Sequence, residues 1–372
     1  MKDSVLITGG AGFIGSHVGH ALVAAGYSVR ALDNLDPLVH GADAERPVSL
    51  SDDIELIRGD VRDPIAVARA LEGVDVVFHF AASVGVSQSM YRIADATSVN
   101  ELGTACVLEA VAARKLKKLV VASSMSIYGE GSYVDAEGNA VEQVRRTAEA
   151  LGRGDWEPRD RHSRPLIPRP TPESKPVALE SIAALGKFAQ EQSALIIGRA
   201  SGIPTVALRF FNVYGPHQAL SNRCTGALAI FAARLLNNRR PMIFEDGEQR
   251  RDFVHVHDVA RACRLALESP KANGVAINIG SGRSYTITEV AKALSQVLGR
   301  EEYEPEITGE YRVGDIRHCF GDITRAKEVL GFEPRVSLRD GLQEMIKWLS
   351  TPDAKNHVAA ARRELQQRGL TL

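Results

Sequence analysis

The stretch from Val5 to Gly15, which reads V-L-I-T-G-G-A-G-F-I-G, constrains the fold more than any other part of the chain. Its apolar start predicts a strand buried on both faces, and the glycines begin directly after Thr8. Beyond the turn, apolar residues recur at helical spacing and stop at Gly26, a residue type that commonly ends helices. The sequence therefore predicts a strand, a glycine turn and a helix in immediate succession.

Three glycines of this turn, Gly9, Gly12 and Gly15, have the spacing of a dinucleotide-binding turn. The first permits the tight bend, the second lets the backbone approach a pyrophosphate, and the third allows close packing of helix on strand. The next apolar run ends on Asp33, whose carboxylate can accept both ribose hydroxyls of NAD and would repel a 2′-phosphate. We therefore expect NAD rather than NADP; the alternative is a glycine turn with an unrelated surface aspartate.

The composition is that of an ordinary globular chain. Its 372 residues, 44% hydrophobic and 24% charged, suffice for one large domain or two lobes. Lysine and arginine (45) nearly balance aspartate and glutamate (46), so neither a nucleic acid nor a membrane is expected as a partner. No signal peptide or membrane-spanning stretch is expected. The cysteines form no C-x-x-C pair, which predicts neither a disulfide scaffold nor a zinc site and favours the cytoplasm; they are Cys106, Cys224, Cys263 and Cys319.

Strand and helix patterns alternate along the first half of the chain. Further strands are predicted at 28–33, 54–58, 75–80 and 118–123, with helices at 64–71 and 97–113. This alternation gives parallel strands with right-handed crossovers, so we predict an α/β fold with a doubly wound parallel sheet. Ligands of such sheets lie beyond the carboxyl ends of the strands, which selects the loops after Ile7, Leu32, Arg58, Phe80 and Ala122.

The second half is less regular. Residues 130–176 form a charged, proline-rich insertion, for which a surface flap over the substrate cleft and a mobile spacer without a role are both open interpretations. We expect residues 1–203 to form the nucleotide-binding domain, 204–352 a smaller lobe interwoven with the last strands, and 353–372 a charged helix. Further elements are predicted as helices at 178–200, 226–236, 259–267 and 287–298, and strands at 205–210 and 276–279.

Three more motifs accompany the glycine turn: S-S-M-S-I-Y-G from Ser123, F-N-V-Y-G-P from Phe211 and R-D-F-V-H-V from Arg251. Together they resemble the extended short-chain dehydrogenase/reductase family, and more narrowly its NAD-dependent nucleotide-sugar epimerases and dehydratases. The resemblance runs from Val5 to about Pro334 and implies a Rossmann domain with a smaller C-terminal substrate-binding lobe. It also implies an isomerase that removes hydride from C4 of a UDP- or dTDP-hexose and returns it to the opposite face. A loop beginning at Asp155 resembles that of dTDP-rhamnose 4-epimerases.

The catalytic helix departs from the family pattern. Removing hydride from C4 requires a general base within reach of the C4 hydroxyl, and the family supplies a tyrosine four residues before a lysine. Lys187 has the family context, but Ala183 stands where the tyrosine is expected, and Gly186 replaces the usual Ser or Thr. We therefore expect a chain that binds its ligands and turns over poorly. A deliberate exchange that traps substrate and a natural member that has lost or relocated its base both explain Ala183.

The residues after the fifth strand help to choose the reaction. The resemblance implies that Ser124 hydrogen-bonds the sugar O4, with Ser126 close by. Dehydratases of the family place Asp-Glu after the catalytic hydroxyl, and decarboxylating relatives have Glu at the second position. Met125 and Ser126 stand there instead, and neither is an acid near neutral pH. A 4-epimerase fits best; a reductase or dehydratase, and a catalytically silent NAD-binding regulator, are the alternatives.

The resemblance also assigns binding residues. For the cofactor these are Gly9, Gly12, Phe13, Ile14, Gly15, Asp33, Asn34, Asp60, Val61, Ala81, Ala82 and Lys187. For the nucleotide-sugar they are Ser124, Asn212, Arg251 and Arg312, although either arginine could instead be a surface ion pair with Asp252 or Asp315. His255 and His257 lie on a predicted strand without a third ligand, so no metal is expected. Family analogy implies a homodimer formed through the helices at 97–113 and 178–200.

Overall fold

A seven-stranded sheet in which all neighbours are parallel forms the centre of the structure. The computed structural model describes residues 2–41, 45–83, 85, 89–218, 227–312 and 314–351. The strands are β1 (Ser4–Thr8), β2 (Ser28–Asp33), β3 (Ile54–Arg58), β4 (Val76–His79), β5 (Lys118–Ser124), β6 (Thr205–Phe210) and β7 (Val275–Ile279). Their spatial order is β3-β2-β1-β4-β5-β6-β7. The predicted doubly wound sheet is confirmed, with its order reversing between β1 and β4.

Helices cover both faces of this sheet. The longer ones are α1 (Phe13–Ala24), α2 (Pro64–Ala70), α3 (Gly103–Ala112), α4 (Ile182–Ser201), α5 (Ala227–Leu236), α6 (Val256–Glu268), α7 (Ile287–Leu298), α8 (Thr324–Leu330) and α9 (Leu338–Leu349). Val5 and Ile7 of β1 face the core under α1 and α6, whereas Leu6 faces the core under α2, α3 and α4. Within the described ranges, every helix is too short or too polar to cross a membrane.

The C-terminal half adds a separate core and several short strands. Apolar side chains of α5, α7 and α9 pack around Tyr214 and Phe253. Asn212–Tyr214 pairs with Phe253–His255, and Met242–Ile243 pairs with Glu306–Ile307. A third small sheet joins Arg250–Arg251 to Tyr285–Thr286 and to His318–Cys319. These pairings bring Arg251 and the segment before His318 to the same edge of the lobe.

The insertion at 130–176 is built on a small antiparallel sheet and held by ion pairs. Its strands are Ser132–Val134, Ala140–Val141 and Ile167–Arg169, with a short helix at Ala148–Gly152. Arg146 of the insertion bonds Glu130 and Glu245, and Arg317 bonds Glu157 of the insertion as well as Glu245 and Asp246. The Arg317 side chain is only 1% exposed. This packing argues against a free spacer, while the flap over the cleft stays a prediction.

Several predicted boundaries were wrong for reasons that involve helix caps. The helix predicted from 178 begins at Ile182, because the Ser181 side chain caps it by accepting a bond from the Ala184 amide. The helix predicted at 259 begins at Val256, so the strand ends at His255 and His257 lies in the first helical turn. The helix predicted at 97–113 is reached through Ile93–Thr97 and a π-helical turn at Ser98–Leu102. The predicted helix at 353–372 lies outside the described residues.

Candidate active site

The three glycines of the first turn meet different surroundings. Gly9 has φ +69°, and a Cβ there would lie 2.9 Å from the Ala81 amide nitrogen. A Cβ at Gly15 would lie 2.3 Å from the Gly9 carbonyl oxygen, so the helix packs directly on the turn. At Gly12 the nearest neighbour of an added Cβ is that same oxygen at 3.3 Å, and the rest of its surroundings is open. Gly9 and Gly15 are therefore required by packing, whereas Gly12 keeps space for a ligand.

This difference yields a prediction that separates folding from binding. Gly15→Ala forces a methyl against backbone that cannot move aside, and overpacking of this kind costs about 1–3 kcal/mol of unfolding free energy or more. Gly12→Ala, at a helix N-cap with φ −72°, should change stability by only about 1 kcal/mol or less while weakening NAD binding. Denaturant unfolding and NAD titration calorimetry measure the two effects. Unchanged NAD affinity in Gly12→Ala would contradict the assignment of Gly12.

The start of α1 fits a pyrophosphate. Gly12 is the N-cap and has no side chain to cap the first turn, in which Phe13 and Ile14 lie. Amide N–H groups at such a helix start face outward, and the positive end of the helix dipole favours an anion there. The local backbone at this helix start therefore favours a bound anion such as a phosphate.

Asp33 is fixed beside the glycine turn at the end of β2. Its carboxylate accepts hydrogen bonds from the amides of Ala11 at 3.1 Å and Leu35 at 3.0 Å, and only 9% of the residue is exposed. His40 Nε2 lies 3.7 Å from Asp33 Oδ1, the oxygen that also accepts from the Leu35 amide. These contacts hold the carboxylate next to the turn, at the position where an adenosine ribose is bound in Rossmann domains.

The predicted adenine-contacting residues lie after β3. Asp60 accepts bonds from Arg62 and from the Asn34 amide group, which joins the ends of β2 and β3. The Arg62 hydrogen bonds are the main reason that the pKa of Asp60 falls to about 2. Val61 is buried, and a Cβ on Gly103 would lie 2.7 Å from its side chain. Asp60 therefore stays ionised, and Val61 packs against α3.

The loop after β4 is anchored by a chain of buried polar groups. Thr8 Oγ1 accepts bonds from the amides of Phe80 and Ala81 and lies 2.8 Å from His79 Nδ1. His79 Nε2 in turn lies 2.8 Å from Thr104 Oγ1, and Gln190 of α4 bonds both Thr104 and the Ala81 carbonyl. Burial lowers the pKa of His79 to about 3, so the ring is neutral. The chain of polar groups fixes Ala81 close to Gly9, and Ala82 follows it in the loop.

Lys187 lies against the end of β5. Its ammonium donates to the Ala122 carbonyl at 2.7 Å and to Gln190 Oε1 at 2.9 Å, so two of its three donors are used by the described residues. Burial lowers the pKa of Lys187 to about 8. Sequence analysis missed Gln190, although its position three residues after Lys187 places both side chains on one helix face.

Two serines stand where β5 ends. Ser124 Oγ accepts a bond from the Ser126 amide at 3.1 Å, and the Ser126 hydroxyl lies 2.9 Å from it. Both hydroxyls thus lie at the carboxyl edge of the sheet, and Lys187 binds the same strand two residues earlier. Tyr128 points elsewhere: its buried hydroxyl bonds Asn278 and Arg209, and burial raises its pKa.

Ala183 is held in the first turn of α4. Its amide donates to Ser89 Oγ at 3.0 Å, and 7% of the residue is exposed. A Cβ at Gly186 would lie 2.9 Å from Cβ of Asn100. The Asn100 side-chain amide accepts a hydrogen bond from the Ser83 amide and donates one to the Ser83 carbonyl. The helix therefore carries Lys187 into place with no proton-carrying side chain at 183.

The predicted phosphate-binding residues are only partly brought together. Arg251 donates to the carbonyls of Arg250, Ile316 and Arg317 and lies 3.6 Å from Asp315, so it holds the backbone that follows Arg312. The Asn212 amide group donates to the Asp252 carbonyl at 3.0 Å. Arg312 is exposed, with its guanidinium 4.4 Å from the Phe244 ring centre. Arg251 is thus within ion-pair distance of Asp315, but its side chain is only 12% exposed, and it organises this segment rather than forming a plain surface ion pair.

The sheet, the glycine turn and the serine-lysine arrangement define a dinucleotide-binding α/β protein of the Rossmann type. A family model described as the NAD dependent epimerase/dehydratase family matches residues 5–149 and 161–280, and the chain belongs to this family. Its cofactor is NAD.

Known proteins resemble the chain over nearly its whole length. It is 33% identical to a dTDP-L-rhamnose 4-epimerase of Burkholderia thailandensis, over 95% of this chain and 96% of the relative. The structure of a UDP-glucose 4-epimerase of Thermotoga maritima with UDP-glucose has a TM-score of 0.76 and 31% identity, covering 93% and 98% of the two chains. That of Thermus thermophilus UDP-glucose 4-epimerase with NAD has a TM-score of 0.74 and 30% identity, covering 94% and 99%.

Proposed function

We propose that the chain is an NAD-dependent 4-epimerase of a UDP- or dTDP-hexose. The observation that carries the proposal is the hydroxyl pair of Ser124 and Ser126 at the end of β5, next to the strand contact of Lys187. A dehydratase needs an acid and a base after the first hydroxyl, whereas Met125 and Ser126 supply neither. Reversible hydride transfer at C4 requires no such pair.

The residues have distinct tasks in this proposal. NAD, when bound, supplies the hydride acceptor. The amides at the start of α1 would hold its pyrophosphate, and Asp33 would accept its ribose hydroxyls. The remaining donor of Lys187 would bind the nicotinamide ribose. Ser124 would hydrogen-bond the sugar O4, and Asn212, Arg251 and Arg312 would lie toward the diphosphate.

We further propose that this chain is a poor catalyst because position 183 carries a methyl. General acid–base assistance is worth roughly 10²–10⁴-fold, and neither Ala183 nor a serine hydroxyl replaces a phenol of lowered pKa. The same residue favours a second candidate function, a catalytically silent NAD-binding regulator. In both cases a stalled site should retain its ligands.

Mass spectrometry of molecules that copurify with the protein tests these proposals together. We expect NAD and a UDP- or dTDP-sugar to be released on denaturation. Incubation with a nucleotide-sugar and product analysis then separates an epimer from a dehydrated or reduced sugar. A protein that binds NAD but takes up no nucleotide-sugar would favour the regulator, and absence of NAD binding would contradict the proposed function.

We also propose a homodimer. Leu102, Leu185 and Ile196 are large apolar residues that are 55%, 43% and 51% exposed, and they lie on the π-helical turn and on α4. Leu185→Glu with Ile196→Glu should shift the protein to a monomer, since a charge on each side of an apolar interface is costly to bury. Light scattering after gel filtration measures the mass, and Ile65→Glu, also at an exposed apolar position, is the control. A monomeric wild type would overturn the proposal.

A reducing compartment such as the cytoplasm suits the thiols. Cys106, Cys263 and Cys319 are free, and Cys224 lies outside the described residues. Burial raises the pKa of the Cys319 thiol to about 12, so this thiol stays unreactive.

A further inference from the structure

Five of the ten histidines in the sequence form one cluster of side chains, which has no role in the proposed function. Neighbouring ring centres are 4.8 to 6.4 Å apart. The rings come from α1, from the loop that follows Asn212–Tyr214, and from the start of α6; they are His17, His20, His217, His255 and His257. The cluster therefore joins the nucleotide-binding sheet to the C-terminal lobe.

Two of these histidines face a carboxylate. His255 Nε2 lies 3.5 Å from one oxygen of Glu344 on α9, and His257 Nδ1 lies 3.7 Å from the other. All the potential ligand atoms of this set lie within 4.8 Å of one another. Glu344 could not be predicted as their partner, because it lies on a helix that is distant along the chain and comes close to the histidines only in the folded structure.

The His255 ring supplies a second, independent observation. The residue is 1% exposed, and among the described residues its Nε2 has no hydrogen-bond partner, although this atom lies 3.5 Å from a Glu344 oxygen. A buried polar atom left without a partner carries a free-energy cost, which a bound ligand would remove.

We propose that His255, His257 and Glu344 bind a divalent transition metal ion, with zinc as the reference case. Two imidazoles and one carboxylate form a recurring zinc ligand set, and imidazole nitrogen also suits nickel and copper, whereas magnesium and calcium prefer oxygen. This proposal corrects the expectation that no metal is bound, which depended on the lack of a third ligand. It does not depend on the proposed epimerase activity.

The three potential ligand atoms, which lie within 4.8 Å of one another, must move closer together to bind one zinc ion. Ligand atoms around a tetrahedral zinc ion are about 3.3 Å apart, given bonds of about 2.0–2.1 Å. His257 and Glu344 are 51% and 40% exposed, so their side chains can rotate toward the buried His255. The ring of His17, 5.4 Å from that of His257, is a nearby further imidazole.

The proton on His255 must also move. Its Nδ1 accepts a bond of 3.4 Å from the His257 amide, which is long for a hydrogen bond. When Nε2 binds a metal, the ring proton lies on Nδ1, and Nδ1 can no longer accept from the His257 amide. Metal binding therefore costs only this long N-cap hydrogen bond.

The expected consequence is a link between helices. The ion would connect the start of α6, which packs on the central sheet, with α9 of the C-terminal core. Because the ligand set exists only in the folded chain, metal binding should stabilise the fold in proportion to the logarithm of free metal over Kd.

Zinc chloride titrated into the full-length protein by calorimetry, with cobalt(II) absorption as a report on coordination, tests the site. We expect one equivalent to bind and the Tm to rise. His257→Ala and Glu344→Gln should each weaken zinc binding by more than roughly 100-fold, since removal of a mere outer-shell partner typically weakens metal binding by roughly 10–100-fold. His162→Ala, an exposed histidine on the insertion, is the matched control and should bind like wild type.

His257 is half exposed, so its removal should leave the metal-free Tm unchanged, which separates loss of binding from loss of folding. Wild-type affinity in His257→Ala would overturn the proposal, since the metal would then use other histidines. Absence of zinc binding to the wild type would overturn it as well.

Discussion

Ala183→Tyr is expected to raise the turnover of the proposed 4-epimerisation by roughly 10²–10⁴-fold, the contribution typical of general acid–base catalysis. The substitution places a phenol in the first turn of α4, one helical turn before Lys187, whose pKa is already lowered to about 8 by burial. The measurement is conversion of UDP-glucose and of dTDP-hexoses to their C4 epimers under saturating NAD. The rise should appear in kcat, because the phenol acts on the proton in the transition state.

Ala183→Phe is the matched control, since it adds the same ring without the hydroxyl. We expect Ala183→Phe to keep NAD binding and to gain no turnover. If Ala183→Tyr binds NAD and nucleotide-sugar yet is no faster than the parent chain, the base lies elsewhere or the protein is not an epimerase. Retained ligands would then favour the regulator.

Arg317→Met is expected to lower the free energy of unfolding by about 3–5 kcal/mol, because it removes a buried cation shared by the buried Glu245 and the partly exposed Glu157 and Asp246. Arg317 bonds Glu157, Glu245 and Asp246 at 2.5 to 3.0 Å while only 1% exposed. Arg164→Met is the control: that arginine also pairs with two carboxylates but is 42% exposed, so its loss should cost about 1 kcal/mol or less. Denaturant unfolding compares them, and equal losses would contradict a special role of the buried network.

The same network should make stability depend on acid pH. Burial opposes ionisation of Glu157 and Asp246, but hydrogen bonds from His318 and Arg317 outweigh it, and their pKa values fall below the ordinary 4.5 and 3.8. Such carboxyls stabilise the fold above their unfolded pKa values, and this stabilisation is lost as pH falls through the folded values. The stability difference between wild type and Arg317→Met should therefore shrink below about pH 4.5. A constant difference down to pH 3 would show that the carboxylates are not responsible.

The central sheet was predictable because its strands are short apolar runs and because the turn after β1 has glycines at the spacing of a dinucleotide-binding turn. Helix starts were less predictable, since a cap such as Ser181 becomes visible only when its hydroxyl is seen to accept a backbone amide. The insertion was not predictable, because its order comes from Arg146 and Arg317 bonding carboxylates that are far away in sequence.

The residues of the candidate site also fall into two groups: those predicted from sequence spacing and those that only the fold brings together. Gly9, Gly15 and Asp33 were identified by spacing, and their surroundings fit the reasons given for them. The hydrogen-bonded chain from Thr8 through His79 to Gln190 could not be predicted from the sequence, because the three residues form no local motif and meet only in the folded structure. Roles toward the substrate, including those of Ser124 and Arg312, stay predictions.

The glycine at 186 also limits how the start of α4 can be rebuilt. Asn100 occupies the space that a side chain at 186 would enter, and it holds the amide and the carbonyl of Ser83. A serine engineered at 186 would therefore push on the anchor of the loop after β4 and would call for a compensating change at Asn100. Ala183→Tyr is accordingly best introduced while Gly186 is kept.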